Sequence, residues 1–300
     1  MSADRFDLTL WSAAHLRAVE EALCAWVHAD APAGLGAAMR YAVLDGGKRL
    51  RPLLVAAASE AVGGNAQAAL RAACATELIH AYSLVHDDMP CMDNDILRRG
   101  KPTVHVAFGE AQALLAGDAL QALAFELLTP DDVSVPASIQ AKLCRLLAVA
   151  AGQRGMAGGQ AIDLASVGQQ LTQDQLRHMH CLKTGALLQG SVMMGAACGA
   201  ANPQTLAALN DFGAALGLAF QVVDDILDVT SDAVTLGKTA GKDAANDKPT
   251  YVSLMGLEGA QTHAKDLLVD ALSALDRSGL PTTATQALRA LAYMVVSRNN

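Results

Sequence analysis

The amino-acid sequence predicts an all-α fold, a single large bundle of about ten or more helices around a central cavity, with residues 1–300 forming one domain. Sixty of the 300 residues are alanine, the strongest helix former among the amino acids. Aromatic residues, which favour strands, make up only 4% of the chain. From residue 8 to residue 27, and along most of the remaining chain, apolar residues recur every three to five positions, as on one face of a helix.

Glycine pairs, prolines and polar stretches divide this pattern into separate segments. Residues 97–102 are predicted to form a polar loop, and residues 232–250 the longest polar loop of the chain. The predicted helical segments cover 8–27, 52–62, 66–86, 111–128, 138–151, 173–200, 204–229, 257–276 and 283–297.

Composition restricts the possible functions and locations of the protein. A net charge of −8 argues against a nucleic-acid-binding surface. The six cysteines lie far apart without a Cys-x-x-Cys pair, which predicts reduced thiols in a cytoplasmic protein. The polar N-terminus lacks a signal-peptide core, and the most apolar stretch, 186–201, is shorter than the roughly 20 residues that span a bilayer. We therefore expect no stable membrane insertion.

A first cluster of carboxylates follows an apolar helix. Asp87, Asp88, Asp93 and Asp95 lie within nine residues. A straight helix would not align Asp93 with Asp87. Since proline bends or ends a helix, Pro90 is expected to let Asp93 return beside Asp87.

A second cluster lies inside a segment whose other residues are apolar. Asp224 and Asp228 are four positions apart and therefore share a helix face, with Asp225 between them and Gln221 one turn earlier. Carboxylates gathered in this way repel one another unless cations neutralise them. Because the candidate ligands are hard oxygens, the two clusters predict Mg²⁺, which proteins hold through one or two carboxylates together with substrate phosphates.

Two other interpretations of the acidic clusters remain open. Both could be solvated helix ends, although the apolar surroundings of the second cluster argue against this. A carboxylate-bridged di-iron bundle would carry a Glu-x-x-His pair on each of two helices. Glu77 and His80 form one such pair, but the sequence contains no second one, and the clusters are built from aspartate.

Basic residues lie next to both acidic clusters and predict sites for phosphate groups. The stretch 46–52 reads Gly-Gly-Lys-Arg-Leu-Arg-Pro, and the pair Arg98-Arg99 follows the first cluster. Lys183-Thr184 is predicted to open a helix, and Lys238 and Lys248 follow the second cluster. The glycine-rich stretch 152–159 matches no phosphate-binding loop and predicts close helix packing instead.

The sequence resembles the trans-isoprenyl diphosphate synthases, most closely the bacterial farnesyl diphosphate synthases, over nearly its whole length. Three features carry the resemblance: Asp-Asp-x-x-x-x-Asp at 87–93 followed by Leu-Arg-Arg-Gly-Lys-Pro-Thr at 97–103, Phe-Gln-x-x-Asp-Asp-x-x-Asp at 220–228, and the basic stretch at 46–52. A terpene cyclase would share the first motif, but the second motif typical of cyclases is not found in the sequence. Asn94 departs from the pattern, since many relatives carry an aspartate there.

The resemblance implies a role for each matching residue. Isopentenyl diphosphate is expected to be bound by Lys48, Arg51, His80 and Arg99. The allylic diphosphate is expected to be bound by Arg98, Lys183, Thr184, Gln221, Lys238 and Lys248. Magnesium, implied as three ions bridged by substrate diphosphate, is expected to be bound by Asp87, Asp93 and Asp224, with Asp88, Asp225 and Asp228 in support. The catalytic set comprises Asp87, Asp88, Asp93, Arg98, Lys183, Asp224 and Lys238.

The implied activity is a head-to-tail condensation of isopentenyl diphosphate with dimethylallyl and geranyl diphosphate, and the implied assembly is a homodimer. Tyr82 and Ser83 lie one helical turn before Asp87, where they would face the growing chain. A small Ser83 would admit a ten-carbon tail and the bulk of Tyr82 would then stop growth, which favours farnesyl diphosphate. The alternatives are a geranylgeranyl or geranyl diphosphate synthase of the same fold and a non-catalytic regulatory subunit of a prenyltransferase. A regulatory subunit is the less favoured, because both acidic clusters are intact.

Overall fold

The structure is a computed structural model and describes residues 6–44, 46–230 and 250–298. The regular elements of these residues are helices apart from one short hairpin, which confirms the predicted fold class. The hairpin strands are β1 Leu97–Arg98 and β2 Lys101–Pro102. The α-helices in this part of the chain are α1 Leu8–Trp26, α2 Leu35–Val43, α3 Leu50–Ala61, α4 Ala66–Asp87, α5 Val104–Phe108, α6 Glu110–Leu128, α7 Ala137–Ala151, α8 Met156–Ala165, α9 Gln173–His180, α10 Ala186–Ala197, α11 Pro203–Thr230, α12 Tyr251–Asp276 and α13 Gln286–Val296.

Helix α4 lies at the centre of the bundle and ends at the first acidic cluster. It packs between α3 and α6, and α10 packs on α3, α7 and α11. The side chain of Asn65 caps the start of α4 by accepting a hydrogen bond from the Ala68 N–H. More than half of the α4 residues are buried, so the helix is held rigidly up to Asp87.

Several local structures differ from the sequence prediction, and helices α2, α5 and α8 lie outside the predicted segments. Residues 97–102, predicted to be a loop, form the β1–β2 hairpin, whose two turn residues Arg99 and Gly100 both have positive φ, as tight hairpin turns require. The segment predicted at 173–200 is two helices, α9 and α10, joined by one π-helical turn, Cys181–Gly185. Helix α12 has a kink at Gly256, whose backbone is not helical; the helix predicted at 257–276 begins directly after this kink, and a further helical stretch precedes it.

Helix α8 was not predicted, and its glycines allow it to pack directly on the π-helical turn. A Cβ on Gly159 would overlap the backbone nitrogen of Lys183. On the other side of the turn, a Cβ on Gly217 of α11 would lie 2.8 Å from the Cα of Gly185. The predicted close packing of the stretch 152–159 is therefore confirmed at Gly159, and the turn is held between α8 and α11.

Two helices, α6 and α11, are long and apolar enough to qualify as candidate membrane spans by length and hydropathy. The most apolar windows of these helices are 39% and 56% buried inside the bundle, and core helices of soluble proteins meet the same criterion. The finding is weak evidence for a membrane span.

We predict that Gly159→Ala destabilises the protein by about 1–3 kcal/mol, because a rigid backbone nitrogen, rather than a flexible side chain, occupies the space that the new methyl group needs. Urea unfolding monitored by circular dichroism would measure the loss. Gly259→Ala in α12 is the matched control, since its methyl group would meet only the side chain of Met255. Equal stability of the two variants would contradict the proposed contact.

Candidate active site

Two adjoining cavities open between α3, α4, α8 and the C-terminal part of the chain. The first, here called the basic cavity, has a volume of about 370 Å³ and is lined by five cationic side chains of the described residues. The second, the aspartate cavity, has a volume of about 410 Å³ and contains Asp87 in its wall. Arg51 and His80 line both cavities, so the two share a boundary. The two neighbouring cavities therefore differ in charge: cationic side chains line the first, and the second combines Asp87 with Arg51 and Lys183.

The basic cavity contains all four residues predicted to bind isopentenyl diphosphate, namely Lys48, Arg51, His80 and Arg99. Burial lowers the pKa of Arg51 to about 10, and its Nε has no hydrogen-bond partner among the described residues. Burial also holds the pKa of His80 well below its usual value, and the nearby positive charges of Arg51 and Arg99 add to this effect. His80 is therefore neutral, and the cavity retains unused hydrogen-bond donors suited to an anion.

Arg49, between Lys48 and Arg51, serves the structure of the site. It adopts a left-handed conformation with φ of 45° immediately before α3 and is only 4% exposed. Its guanidinium donates to Glu20 at 2.7 Å, to Glu77 at 2.8 Å and to the carbonyl of Val43 at 2.6 Å. Because Glu77 is committed to this ion pair, the di-iron interpretation loses its only Glu-x-x-His carboxylate.

Arg298, near the C-terminus, also lines the basic cavity, which the sequence did not predict. Its guanidinium carbon lies 4.2 Å from the centroid of the Phe220 ring, and its Nη2 has no hydrogen-bond partner in the described part of the chain. Burial lowers the pKa of this guanidinium. A single arginine in a short polar tail carries no recognisable pattern, so only the folded chain reveals its position.

The first acidic cluster folds back on itself as Pro90 predicted. Helix α4 ends at Asp87, and the N–H of Asp93 donates to the carbonyl of Asp87 at 2.9 Å. Burial raises the pKa of Asp87 to about 6; Lys183 opposes this shift and the carboxylate of Asp93 adds to it. Asp87 and Asp93 are thus close enough to repel each other beside a cavity wall, which is the charge distribution of a cation site.

Asp88 and Arg98 are turned towards each other. Asp88 is 2% exposed and accepts two hydrogen bonds from Arg98 Nε and one of 2.6 Å from Arg98 Nη2. Neither side chain is among the described residues that line the aspartate cavity. Arg98 starts the hairpin turn and thereby places Arg99, whose Nη1 donates to the carbonyl of Gly46 at 2.5 Å.

The second acidic cluster reaches the aspartate cavity through a chain of hydrogen bonds. Thr184, in the cavity wall, donates to the Gln221 carbonyl oxygen at 2.8 Å, and the Gln221 amide donates to Asp225 at 2.8 Å. The other oxygen of Asp225 accepts the backbone N–H of Tyr251 at 2.8 Å. Asp225 therefore holds α11 and α12 together, which is a structural use of a residue predicted to support the metal.

Asp224 lies near the basic cavity. Burial lowers the pKa of Lys48, Arg298 adds to this shift, and the negative charge of Asp224 opposes it. Asp224 thus lies within electrostatic reach of two cations in that wall. Asp228, one turn further along α11, is 6% exposed.

Lys183 lies in the π-helical turn, not at the start of a helix as predicted, and lines the aspartate cavity with Thr184. Single π-helical turns often occur at functional sites, because the wider turn redirects the side chains. The structure therefore groups Asp87, Asp93, Lys183, Thr184 and Gln221. Lys238 and Lys248 lie outside the described residues.

Tyr82 and Ser83 both line the aspartate cavity. The Ser83 hydroxyl donates to the carbonyl of His80 at 2.8 Å. The Tyr82 ring packs edge-on against His86, with the ring centroids 5.7 Å apart. A bulky and well-held side chain therefore lies in the wall one helical turn before Asp87.

The sequence and the fold match known proteins over most of the chain. A family model described as polyprenyl synthetase matches residues 32–289. The chain belongs to the polyprenyl synthetase family. A probable farnesyl diphosphate synthase from Bradyrhizobium diazoefficiens is 50% identical over 272 residues, which cover 89% of this chain and 81% of the relative.

Two further relatives of this polyprenyl synthetase differ in the names that they carry. Geranylgeranyl pyrophosphate synthase 7 from Arabidopsis thaliana is 45% identical over 300 residues, covering 99% of this chain and 86% of the relative. A crystal structure of a geranyltransferase from Helicobacter pylori, complexed with magnesium and isoprenyl diphosphate, aligns with a TM-score of 0.86 at 34% identity and covers 99% of both chains. Similarity to these relatives therefore shows the family of the chain but not the length of its product.

The donor set of this polyprenyl synthetase fits a magnesium ion that is completed by a substrate. No three acidic, histidine or cysteine side chains within residues 6–44, 46–230 and 250–298 lie close enough together to hold a metal alone. Magnesium keeps several ligand positions for water and phosphate oxygens, so a sparse set of carboxylates suits it. Asp87 in the cavity wall, and Asp93, whose charge acts on it, offer oxygen ligands.

We predict that Asp87→Asn stabilises the metal-free protein at pH 7.5. A pKa raised from 3.8 to about 6 means that the folded state binds the proton more tightly, so stability falls as the pH rises from about 4 to about 6. The substitution removes this cost, a gain of up to about 3 kcal/mol at pH 7.5 and close to zero below pH 4. Urea unfolding in the presence of a chelator measures both values.

The exposed Asp118→Asn is the matched control and should show no gain that depends on pH. If Asp87→Asn were as stable as the unmodified protein at pH 7.5, Asp87 would not be under electrostatic strain.

Proposed function

We propose that this polyprenyl synthetase is a farnesyl diphosphate synthase, which condenses isopentenyl diphosphate with dimethylallyl and then geranyl diphosphate and releases diphosphate. Family membership makes the chain a prenyltransferase. The observation that carries the more specific proposal is the pair of cavities that meet at Arg51 and His80. One cavity is suited to a diphosphate bound by cationic side chains alone, and the other to a diphosphate bound together with magnesium.

Isopentenyl diphosphate belongs in the basic cavity. Its diphosphate would accept hydrogen bonds from Lys48, Arg51 and Arg99, with Arg298 as an additional donor. His80 contributes a neutral ring, because burial and the surrounding arginines suppress its protonation. Since Arg49 is engaged with Glu20, Glu77 and the carbonyl of Val43, it is proposed to hold the basic stretch at 46–52 in place and not to bind the substrate.

The allylic diphosphate belongs in the aspartate cavity, where Asp87 and Asp93 would hold magnesium. Asp224, which lies near the basic cavity, is the third proposed ligand. The metal would neutralise charge that develops on the leaving diphosphate. Lys183 and, outside the described residues, Lys238 and Lys248 would donate to the same group. Arg98 would act from the hairpin, oriented by Asp88. The number of metal ions is proposed as three, bridged by the substrate diphosphate.

The reaction begins when the allylic carbon–oxygen bond breaks, which gives an allylic cation and a diphosphate anion. The double bond of isopentenyl diphosphate attacks the cation and forms the new carbon–carbon bond. A proton then leaves the condensed product, and the departing diphosphate accepts it. The Thr184 hydroxyl and the Gln221 amide, joined by a hydrogen bond, would place neutral dipoles beside the cation.

Tyr82 supports a fifteen-carbon product. Its ring lies in the wall of the aspartate cavity and packs edge-on against His86. Geranylgeranyl diphosphate is the second candidate product, because a geranylgeranyl pyrophosphate synthase is 45% identical to this chain over nearly its full length. The bulk of Tyr82 in the cavity wall is proposed to favour the shorter of the two products.

The proposed enzyme is a cytoplasmic, single-domain homodimer. Exposed apolar side chains support an interface on one side of the molecule: Leu115 of α6 is 53% exposed and Val106 of α5 is 50% exposed. Apolar surface of this kind is often covered by a partner chain. A second copy of the chain is the proposed partner.

The experiment that tests the proposed function uses the purified full-length chain alone. Labelled isopentenyl diphosphate is supplied with dimethylallyl or geranyl diphosphate, with magnesium or with a chelator, and the products are dephosphorylated and analysed by chromatography. Farnesol from both primers, and none with the chelator, is the expected result. Failure to consume isopentenyl diphosphate would overturn the proposed function and would favour the regulatory-subunit alternative.

We predict that Tyr82→Ala lengthens the product, because removing the ring opens the wall of the aspartate cavity. Geranylgeranyl diphosphate should become a major product, measured as the fraction of C20 alcohol after dephosphorylation. Unchanged farnesyl output would show that Tyr82 is ordinary core.

Ser83→Phe is the counterpart of this variant. A large ring at position 83 should fill the cavity that receives the ten-carbon tail and shift the output towards geranyl diphosphate. Continued farnesyl output from this variant would place the tail outside the aspartate cavity.

A further inference from the structure

Helix α8 places a buried carboxylate, which belongs to none of the predicted motifs, against Lys183 in the wall of the aspartate cavity. Asp163 is 5% exposed, and its Oδ2 lies 2.6 Å from the Nζ of Lys183. Gly159, four residues earlier and therefore on the same face of α8, touches the backbone of Lys183. One face of α8 thus contacts both the peptide and the ammonium group of this lysine.

We propose that Asp163 is a positioning residue for Lys183, which holds the ammonium group away from Asp87 until the allylic diphosphate arrives. The inference rests on the proposed function. Lysine has a flexible stem of four carbons and a compact charge, so its position depends on the nearest anion. Asp87 lies close enough for the charge of Lys183 to act on it. Without a competing anion, the ammonium would be attracted to a carboxylate that magnesium needs.

The surroundings of the pair argue that it serves more than stability. A buried ion pair costs desolvation free energy that neutral side chains of the same size would avoid, so stability alone gives little reason for it. Asp163 retains its position because the Gly159 contact fixes the separation of α8 from the π-helical turn. The lysine is therefore held before the reaction begins and needs no reorganisation when charge develops on the leaving group.

His180, one turn before Thr184, adds no competing charge. It lies within electrostatic reach of Asp163 and Lys183, and its two ring nitrogens have no hydrogen-bond partner among the described residues. Burial lowers its pKa to about 4, so the ring is neutral at physiological pH. His180 therefore adds no positive charge that would compete with Lys183 for the Asp163 carboxylate.

The test compares Asp163→Asn, which keeps the shape but removes the charge, with Asp163→Glu, which keeps the charge. Asp163→Asn is expected to lower kcat by about tenfold or more and to leave the KM for isopentenyl diphosphate within about twofold. It should also raise the magnesium concentration that gives half-maximal rate, because Lys183 then competes for Asp87. Asp163→Glu should recover part of the kcat. An unchanged kcat and magnesium requirement in Asp163→Asn would overturn the proposal.

A double-mutant cycle separates positioning from stability. If Asp163 acts through Lys183, then Asp163→Asn combined with Lys183→Gln should be no slower than Lys183→Gln alone. The same double variant should unfold at a higher temperature than Lys183→Gln, because it no longer buries a carboxylate that has lost the compensating charge of Lys183. If the double variant instead lost kcat by the product of the two single-variant factors, Asp163 would act independently of Lys183, and the proposal would be overturned.

The control Asp276→Asn breaks an exposed ion pair with Arg289 and should leave kcat and the magnesium requirement unchanged. Failure of the proposed function would appear as absent turnover in the unmodified chain. Failure of the positioning role would appear as normal kinetics in the Asp163 variants of an active enzyme.

Discussion

The buried guanidinium of Arg49 joins three parts of the chain around the basic cavity. It bonds to Glu20 of α1, to Glu77 of α4 and to the carbonyl at the end of α2. Because removing one partner of a buried ion pair typically costs about 3–5 kcal/mol, this arrangement strongly restricts where α3 can begin. The left-handed backbone at Arg49 then directs its two basic neighbours to the cavity. The cations proposed to bind substrate are thus placed by a cation whose own hydrogen bonds are made within the protein.

The same division recurs in the acidic clusters, where neighbouring residues have opposite tasks. Asp88 and Asp225 are both 2% exposed. Asp88 accepts hydrogen bonds from Arg98, and Asp225 accepts them from the Gln221 amide and from the backbone N–H of Tyr251. The neighbouring Asp87 borders the cavity and its pKa is raised. In the first pair, Asp88 is tied to the hairpin through Arg98, whereas Asp87 stays poorly solvated beside the cavity. Folding stability is given up at the position where a metal would restore it.

Patterns in the sequence predicted the features that depend on residues close together in the chain. The helical fold follows from composition and periodicity, and the return of Asp93 to Asp87 follows from Pro90. The π-helical turn at Lys183 and the roles of Asp163 and Arg298 were not predictable, because each depends on contacts between residues far apart in the chain. A lone aspartate in α8 has no motif around it; only the packing of Gly159 against the turn gives it a partner.

The π-helical turn is the point at which these constraints meet. Lys183 in the turn is held by α8, and Thr184 in the same turn is bonded to α11. Gly159 and Gly217 bring both helices into backbone contact with the turn, so neither helix can shift without moving these two side chains. Asp225 carries the connection on to α12 through Tyr251. A substitution in α8 or α12, distant in sequence from either aspartate cluster, can therefore alter the geometry around the allylic site without touching a substrate.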